Sequence, residues 1–366
     1  MIAAGFGLFL AITGGTQVIE NPEKPKAPDA GRVIVPKDVM TITDESGEFF
    51  FKYPRGLNIG PEGSIVLTDG EQVLRFDKEG KFIRNYFKKG QGPGEMTQVD
   101  SYETLRDGRL AIHSYNPSKM IWFDAAGAFE KEISLISEFR RAKLVGQFER
   151  KWIFETHDFP RPGENAQFVE LPYQLVAWDE STKDWKRLLS FDCTVYAASS
   201  GGAAGYVGIA SFLAADLEGG IVAVSHTQEY GIKVVDISAN KVIREFRRDY
   251  ERVAPPPLKP GQKRGSFGIN GKVFEEPERK FQNDISSLHA VNGRIWVITS
   301  TKDEKKGVLV DVCDVDGTYR DAFYLKLPEA ALSRAGSLRF SPSGDAVFTV
   351  ETTPDETIVI KKYALK

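Results

Sequence analysis

A tight turn followed by a short apolar strand recurs six times along this chain, and few architectures accommodate that repetition. The turns fall at residues 61–63, 106–108, 149–150, 218–220, 291–293 and 342–344. Each is followed by a β-branched or aromatic run, at 64–68, 109–113, 151–156, 221–225, 294–299 and 345–350. Runs this short and this apolar read as strands buried on both faces. A second turn, opened by Asp77, Asp124, Asp179, Asp236 and Asp314, ends the third strand of the unit. Aspartate accepts bonds from the next backbone amides, and a following glycine supplies positive φ, so these aspartates are turn formers first.

The first turns lie about 45 and 42 residues apart, then roughly 70 twice and about 51, against about 40–50 residues for a propeller blade. The pattern predicts an all-β, six-bladed β-propeller of four-stranded antiparallel blades. A seventh blade would have to be hidden in an insertion. Two stretches account for the long intervals, 192–208 and 250–283, and both read as turn-rich insertions without extra strands. The last unit ends with its third strand at 357–363. The segment 33–42 has strand character and no blade of its own, so it is expected to supply the missing outermost strand and join the termini.

Within residues 57–96 the unit is spelled most completely, and here it resembles a known family. The stretches Val66 to Asp69 (VLTD), Val73 to Ile83 (VLRFDKEGKFI) and Gly90 to Met96 (GQGPGEM) resemble the NHL-type repeat of bacterial six-bladed propellers. The likeness is good over one blade, partial over the second and only topological afterwards. Residues 341–344 look more like the turn of TolB-type propellers. The resemblance implies a six-bladed fold, and many bacterial relatives are exported. Others of this architecture are metal-using lyases or lactonases, and some bind protein or RNA. A propeller is a scaffold for binding proteins and enzymes alike, so the fold leaves the function open.

Residues 1–20 resemble the apolar and cleavage regions of a secretory signal that lacks its basic start, and 21–32, rich in proline, read as a stiff, unpacked linker before a propeller at 33–366. The apolar run is too short to span a bilayer, for which about 20 residues are needed. An extracytoplasmic location, no transmembrane span in the mature chain and a monomer are therefore expected. The formal charge of −3 argues against a nucleic-acid partner. Cys193 and Cys313 fit no zinc spacing and read as two unpaired small apolar residues, a disulfide being the alternative.

Aligning the six second strands places Asp69, His113, His157, His226, Thr299 and Glu351 near one rim. Imidazoles and carboxylates converging from several blades could hold a divalent ion such as Ca or Zn, which would polarise a carbonyl or activate water. His157 and His226 would then be the catalytic candidates, with Asp69, His113, His157, His226 and Glu351 as ligands. The plainer reading is a set of polar residues ending strands at a wet rim, with no cofactor. His289, in a first strand, lies nearer the axis and reads as a hydrogen-bonded interior histidine. Phe159, Tyr196, Tyr206 and Phe267 belong to insertions or loops, where aromatic side chains anchor partners. The leading expectation is a non-enzymatic binding or scaffolding propeller that presents its insertions to a protein or glycan. The alternative is a metal-assisted lyase or hydrolase at the funnel mouth.

Overall fold

The computed structural model describes residues 18–135, 142–258, 260–332 and 338–365. The signal-like residues up to 17 lie outside the described residues. Three N-terminal strands, β1 (Val18–Asn21), β2 (Arg32–Ile34) and β3 (Lys37–Ile42), precede the blades. The chain is an all-β, six-bladed propeller. Blade 1 covers 55–85, blade 2 covers 99–134, blade 3 covers 142–208, blade 4 covers 213–248, blade 5 covers 285–325 and blade 6 covers 339–364. The first strand of each blade touches the first strands of both neighbours, and Arg339–Phe340 of blade 6 touches Arg55–Ile59 of blade 1, which closes the ring.

The apolar strands are needed between the blades. Six buried clusters fill the six blade-to-blade interfaces, with Val66 and Ile112 between blades 1 and 2, Trp122 and Trp152 between 2 and 3, and Ile42 and Leu67 between 6 and 1. Second strands such as Ile65–Thr68 and Leu110–Ser114 are buried almost throughout because each faces two neighbours. The aspartate turns behave as their chemistry dictates: Asp77 accepts from the amides of Glu79 and Lys81, and Asp124 from that of Ala128. In the turn after Asp314 the neighbouring Asp316 takes that role, bonding the Thr318 amide.

Closure occurs as the pattern indicates, but with narrower bounds. β3 pairs antiparallel with Ile358–Ala364 as the outermost strand of blade 6. Val33 and Ile34 instead belong to β2, which adds parallel to Tyr319–Leu325 on blade 5. Pro36, without an N–H, separates the two pairings. The supposed linker is pinned at both ends rather than unpacked. β1 adds parallel to Lys241–Arg248 of blade 4, and Asn21 then bridges blades, its side chain bonding the Arg247 and Gly317 carbonyls and the Tyr319 amide. The bare outer edges of blades 4 and 5 offered unpaired backbone groups, and the extended segment satisfies them.

Blade 3 corrects a second expectation. Its third and fourth strands, Gln167–Asp179 and Trp185–Ser200, form one long hairpin that runs well beyond the ring, and Ala203–Gly208 adds a fifth strand. Residues 192–208 are therefore sheet, not a turn-rich loop. Gly201 and Gly202, at φ +56° and +79°, make the two-residue turn that only consecutive positive-φ positions allow. The 250–283 insertion contributes a small hairpin, Ser266–Ile269 with Lys272–Glu275. Cys193 and Cys313 are both buried and free.

Candidate functional site

Three places could carry function: the rim where the second strands end, the two insertions, and the channel mouth on the face of the tight turns. At the rim, each candidate ligand is engaged with groups close to it, within its blade or across the adjoining blade interface. Asp69 accepts from the backbone amides of Lys52 (2.6 Å) and Tyr53 (2.9 Å) and so pins the loop before blade 1. Glu351 accepts from Thr349 (2.6 Å) and from the Tyr363 hydroxyl (2.8 Å). His113 is buried edge-on to Phe154, with Nδ1 2.8 Å from the Ala142 carbonyl across the blade interface. Thr299 donates to the Leu309 carbonyl, and His226 stands edge-on to Phe191 beside Lys233 and Glu245. Among the described residues no three His, Cys, Asp or Glu side chains come together in a metal-holding group. The strand-end positions stay apart because each side chain is taken by a partner close to it: Glu351 by Tyr363 of its own blade, His113 by Ala142 of the next.

His157 is different, because the long hairpin of blade 3 surrounds it. Its ring stacks on Tyr173 at 4.3 Å, and its Nε2 lies 2.9 Å from the Tyr206 hydroxyl. Phe159 stands edge-on to Tyr206 at 5.9 Å. On the other face of the same sheet, Phe168 packs on Tyr196 at 5.2 Å, and Tyr196 meets Phe267 at 6.4 Å. Phe267 in turn stacks on Phe274 at 5.4 Å. Thus the two insertions meet. Ala198, Ile269 and Phe274 form a buried cluster separate from the ring, tied by Asn270 to the Ser200 carbonyl and by Arg279 to the Gly208 carbonyl. All four aromatic candidates lie on this extension. Phe168, which the sequence reading passed over, is 58% exposed, and Phe159 is 43% exposed.

At the centre of the tight-turn face the ring opens into a cavity of about 600 Å³, to which all six blades contribute. Asn58, Glu103, His289 and Arg339 line it, each two or three residues before the first residue of its tight turn. Asp216 joins them from blade 4. Asn58 donates to Glu103 (3.0 Å), and Arg106 reaches Glu218 (2.9 Å) and more distantly Asp216 (3.9 Å). Burial raises the Glu103 carboxyl to about 8, against the Asn58 bond and with help from Asp216. Burial likewise raises Asp216 to about 7, with Arg106 opposing and Glu218 assisting. His289, bonded through Nε2 to Ser287 (2.8 Å), is held neutral, its value pushed down to about 3 by burial and by Arg339. The interior, hydrogen-bonded histidine is as the sequence reading has it. Glu103, Asp216 and Arg339 were missed; their only sequence signal was a charged residue just ahead of the tight turn in several units.

A family model described as a 6-bladed beta-propeller, DUF5128, matches residues 62–188. Its description names no repeat class. No curated protein matches the chain. Solved structures with similar folds include a Bacteroides fragilis protein provisionally described as exported (12% identity, 96% of this chain and 100% of that one, TM-score 0.45). Another is a gluconolactonase from Xanthomonas campestris (12% identity, 91% and 98%, TM-score 0.48). A third is the Swd1 propeller domain of Myceliophthora thermophila (13% identity, 87% and 99%, TM-score 0.41). No helix among the described residues is long and apolar enough to cross a membrane.

Proposed function

We propose that this chain is a non-enzymatic binding propeller, acting outside the cytoplasm, that presents the joined insertions to a protein partner. The observation that carries the reading is the aromatic extension of blade 3, which projects exposed Phe168 and Phe159 from a base the ring does not need for its own core. Aromatic rings held on a rigid base bury much area at little entropic cost, which is the usual make-up of an interface anchor. The most exposed rings are phenylalanines, without a polar tip, and that favours a protein surface over a glycan. The signal-like residues 1–20 support export. The alternative, metal-assisted chemistry at the rim, finds little support in side chains already committed to the Lys52 and Tyr53 amides, to Ala142 and to Tyr363.

A photo-cross-linking residue placed at 168 in living source cells tests the reading, with the same residue at position 83 of blade 1 as control. A discrete protein adduct from 168, absent from 83 and lost when Phe159 is changed to Ser, is expected. Equal labelling at both positions, or specific capture of carbohydrate by the purified chain that Phe168→Ala abolishes, would overturn the choice of partner.

A further inference from the structure

We infer that the cavity at the tight-turn face binds a small organic cation, whose ammonium group is held by Glu103 and Asp216. The argument is an account of donors and acceptors. The charged and amide donors of the cavity each engage a protein acceptor: Arg106 on Glu218 and the Leu217 carbonyl, Arg339 on the Leu338 carbonyl, and Asn58 Nδ2 on Glu103. Acceptors are left over. Among the described residues Asn58 Oδ1 and Thr104 Oγ1 have no hydrogen-bond partner, and Thr104, which lines the cavity beside Glu103, is only 7% exposed. Among the described residues the one cation near Asp216 is Arg106, at 3.9 Å. Unmatched buried acceptors cost about 1–3 kcal/mol each, so such a set is best completed by a ligand rich in donors. An alkylammonium offers three donors and one positive charge.

The backbone leaves room at this place. A Cβ on Gly146 would lie 2.8 Å from the Asp216 carboxylate, so only glycine lets that side chain lie flat against blade 3. With Glu103 from blade 2 and Asp216 from blade 4, the site exists only in the closed ring. The charge state agrees with the geometry. Both carboxyls are held toward their neutral forms by burial, and an incoming cation reverses that preference. The charged groups facing Glu103 are Asp216, Arg339 and Lys143, and those facing Asp216 are Arg106 and Glu218. His289 stays neutral and does not compete.

Calorimetric titration of the full chain with the diamine putrescine and its uncharged counterpart butanediol tests the site. Putrescine is expected to saturate one site with at least about tenfold higher affinity than butanediol. The affinity should strengthen from about pH 6 to about pH 8.5 as the carboxyls ionise, since alkylammonium groups stay protonated to about 10. Glu103→Gln with Asp216→Asn should weaken putrescine about tenfold or more and flatten the pH profile, while the thermal midpoint stays equal or rises, which shows the variant folded. Equal affinity for diamine and diol, unchanged binding by the double variant, no binding of either probe, or selective binding of calcium or glucuronate instead would each overturn the inference.

Discussion

Blades 4 to 6 and blades 1 to 3 hold together by different means. The outer edges of blades 4, 5 and 6 are covered by β1, β2 and β3, so residues from the start of the chain seal sheets made from its end. Between blades 4 and 5 lies a buried ion pair, Arg248 with Asp311. The guanidinium is ringed by Tyr230, Tyr250 and Tyr319 at 5.1–5.6 Å, and the Tyr319 hydroxyl donates to Asp311 (2.7 Å). Burial works against the Arg248 charge, and the Asp311 carboxylate outweighs it, leaving the guanidinium above its ordinary value. Blades 2 and 3 instead meet through Trp122 and Trp152 at 5.1 Å, with His113 edge-on to Phe154 at 5.8 Å. Among the described residues no strand pairs with the outer edge of blade 2, which carries Glu130, Lys131 and Glu132, charges that discourage strand addition. One half is locked by long-range, directional contacts, the other by local packing. The half that needs no outside chain is the half free to grow the blade 3 extension.

The sharpest way to break this contrast is at Asp311. Asp311→Asn leaves a buried guanidinium without its countercharge and is expected to cost about 3–5 kcal/mol in denaturant unfolding. Replacing both partners, Arg248→Met with Asp311→Leu, should recover most of that loss, because two apolar groups of similar volume leave no orphaned charge. A loss below about 1 kcal/mol for the single change would mean that the closed half does not depend on its buried pair.

How much of this was legible beforehand differs in the same way. Blade 1 reads directly from its residues because the Gly63 turn, the Asp77 turn and the apolar strands between them are local chemistry. The run from Ser199 to Gly205 misleads, since Ser, Gly and Ala are poor strand formers. Tertiary pairing with Val195 to Ser200 overrides that preference, and Gly201 and Gly202 serve as its turn. β1 could not be read because its partner strand, with Val18 opposite Glu245, lies more than 200 residues away. For the site, the aromatic residues of the insertions can be named from composition and position. Glu103, Asp216 and Arg339 were not, because a single charge in an apolar strand looks like surface until the closed ring brings several together around one axis.

The channel mouth is where the two halves meet, and its carboxyls make the protein's stability depend on pH. Glu103 at about 8 and Asp216 at about 7 bind protons in the folded chain that the unfolded chain releases near 4. Stability from this source is therefore full below about pH 4 and declines as pH rises until both groups are ionised, above about 8. Glu103→Gln removes the larger share. It should be more stable than the parent by about 1–2 kcal/mol near pH 8.5, allowing for water in the channel, with the difference shrinking toward pH 5. Superimposable urea midpoints across this range would show that the mouth is wet enough to leave Glu103 ordinary.

The smallest expected effect tests the seal itself. Arg32 in β2 makes a two-pronged ion pair with Asp321 of blade 5 (2.9 and 2.8 Å) and covers the Phe323 ring at 5.6 Å. The pair is partly exposed, so Arg32→Ala should cost only about 0.5–1 kcal/mol globally, and less in high salt. Its local consequence should be larger. β2 has three residues, and its parallel ladder to Phe323, Tyr324 and Leu325 is short, so losing the side-chain clamp should raise amide exchange on blade 5's outer strand while blade 2's outer strand is unchanged. Equal acceleration on both blades would mean that Arg32 stabilises the whole ring rather than the arm, and the contrast between a sealed and an unsealed half would have to be given up.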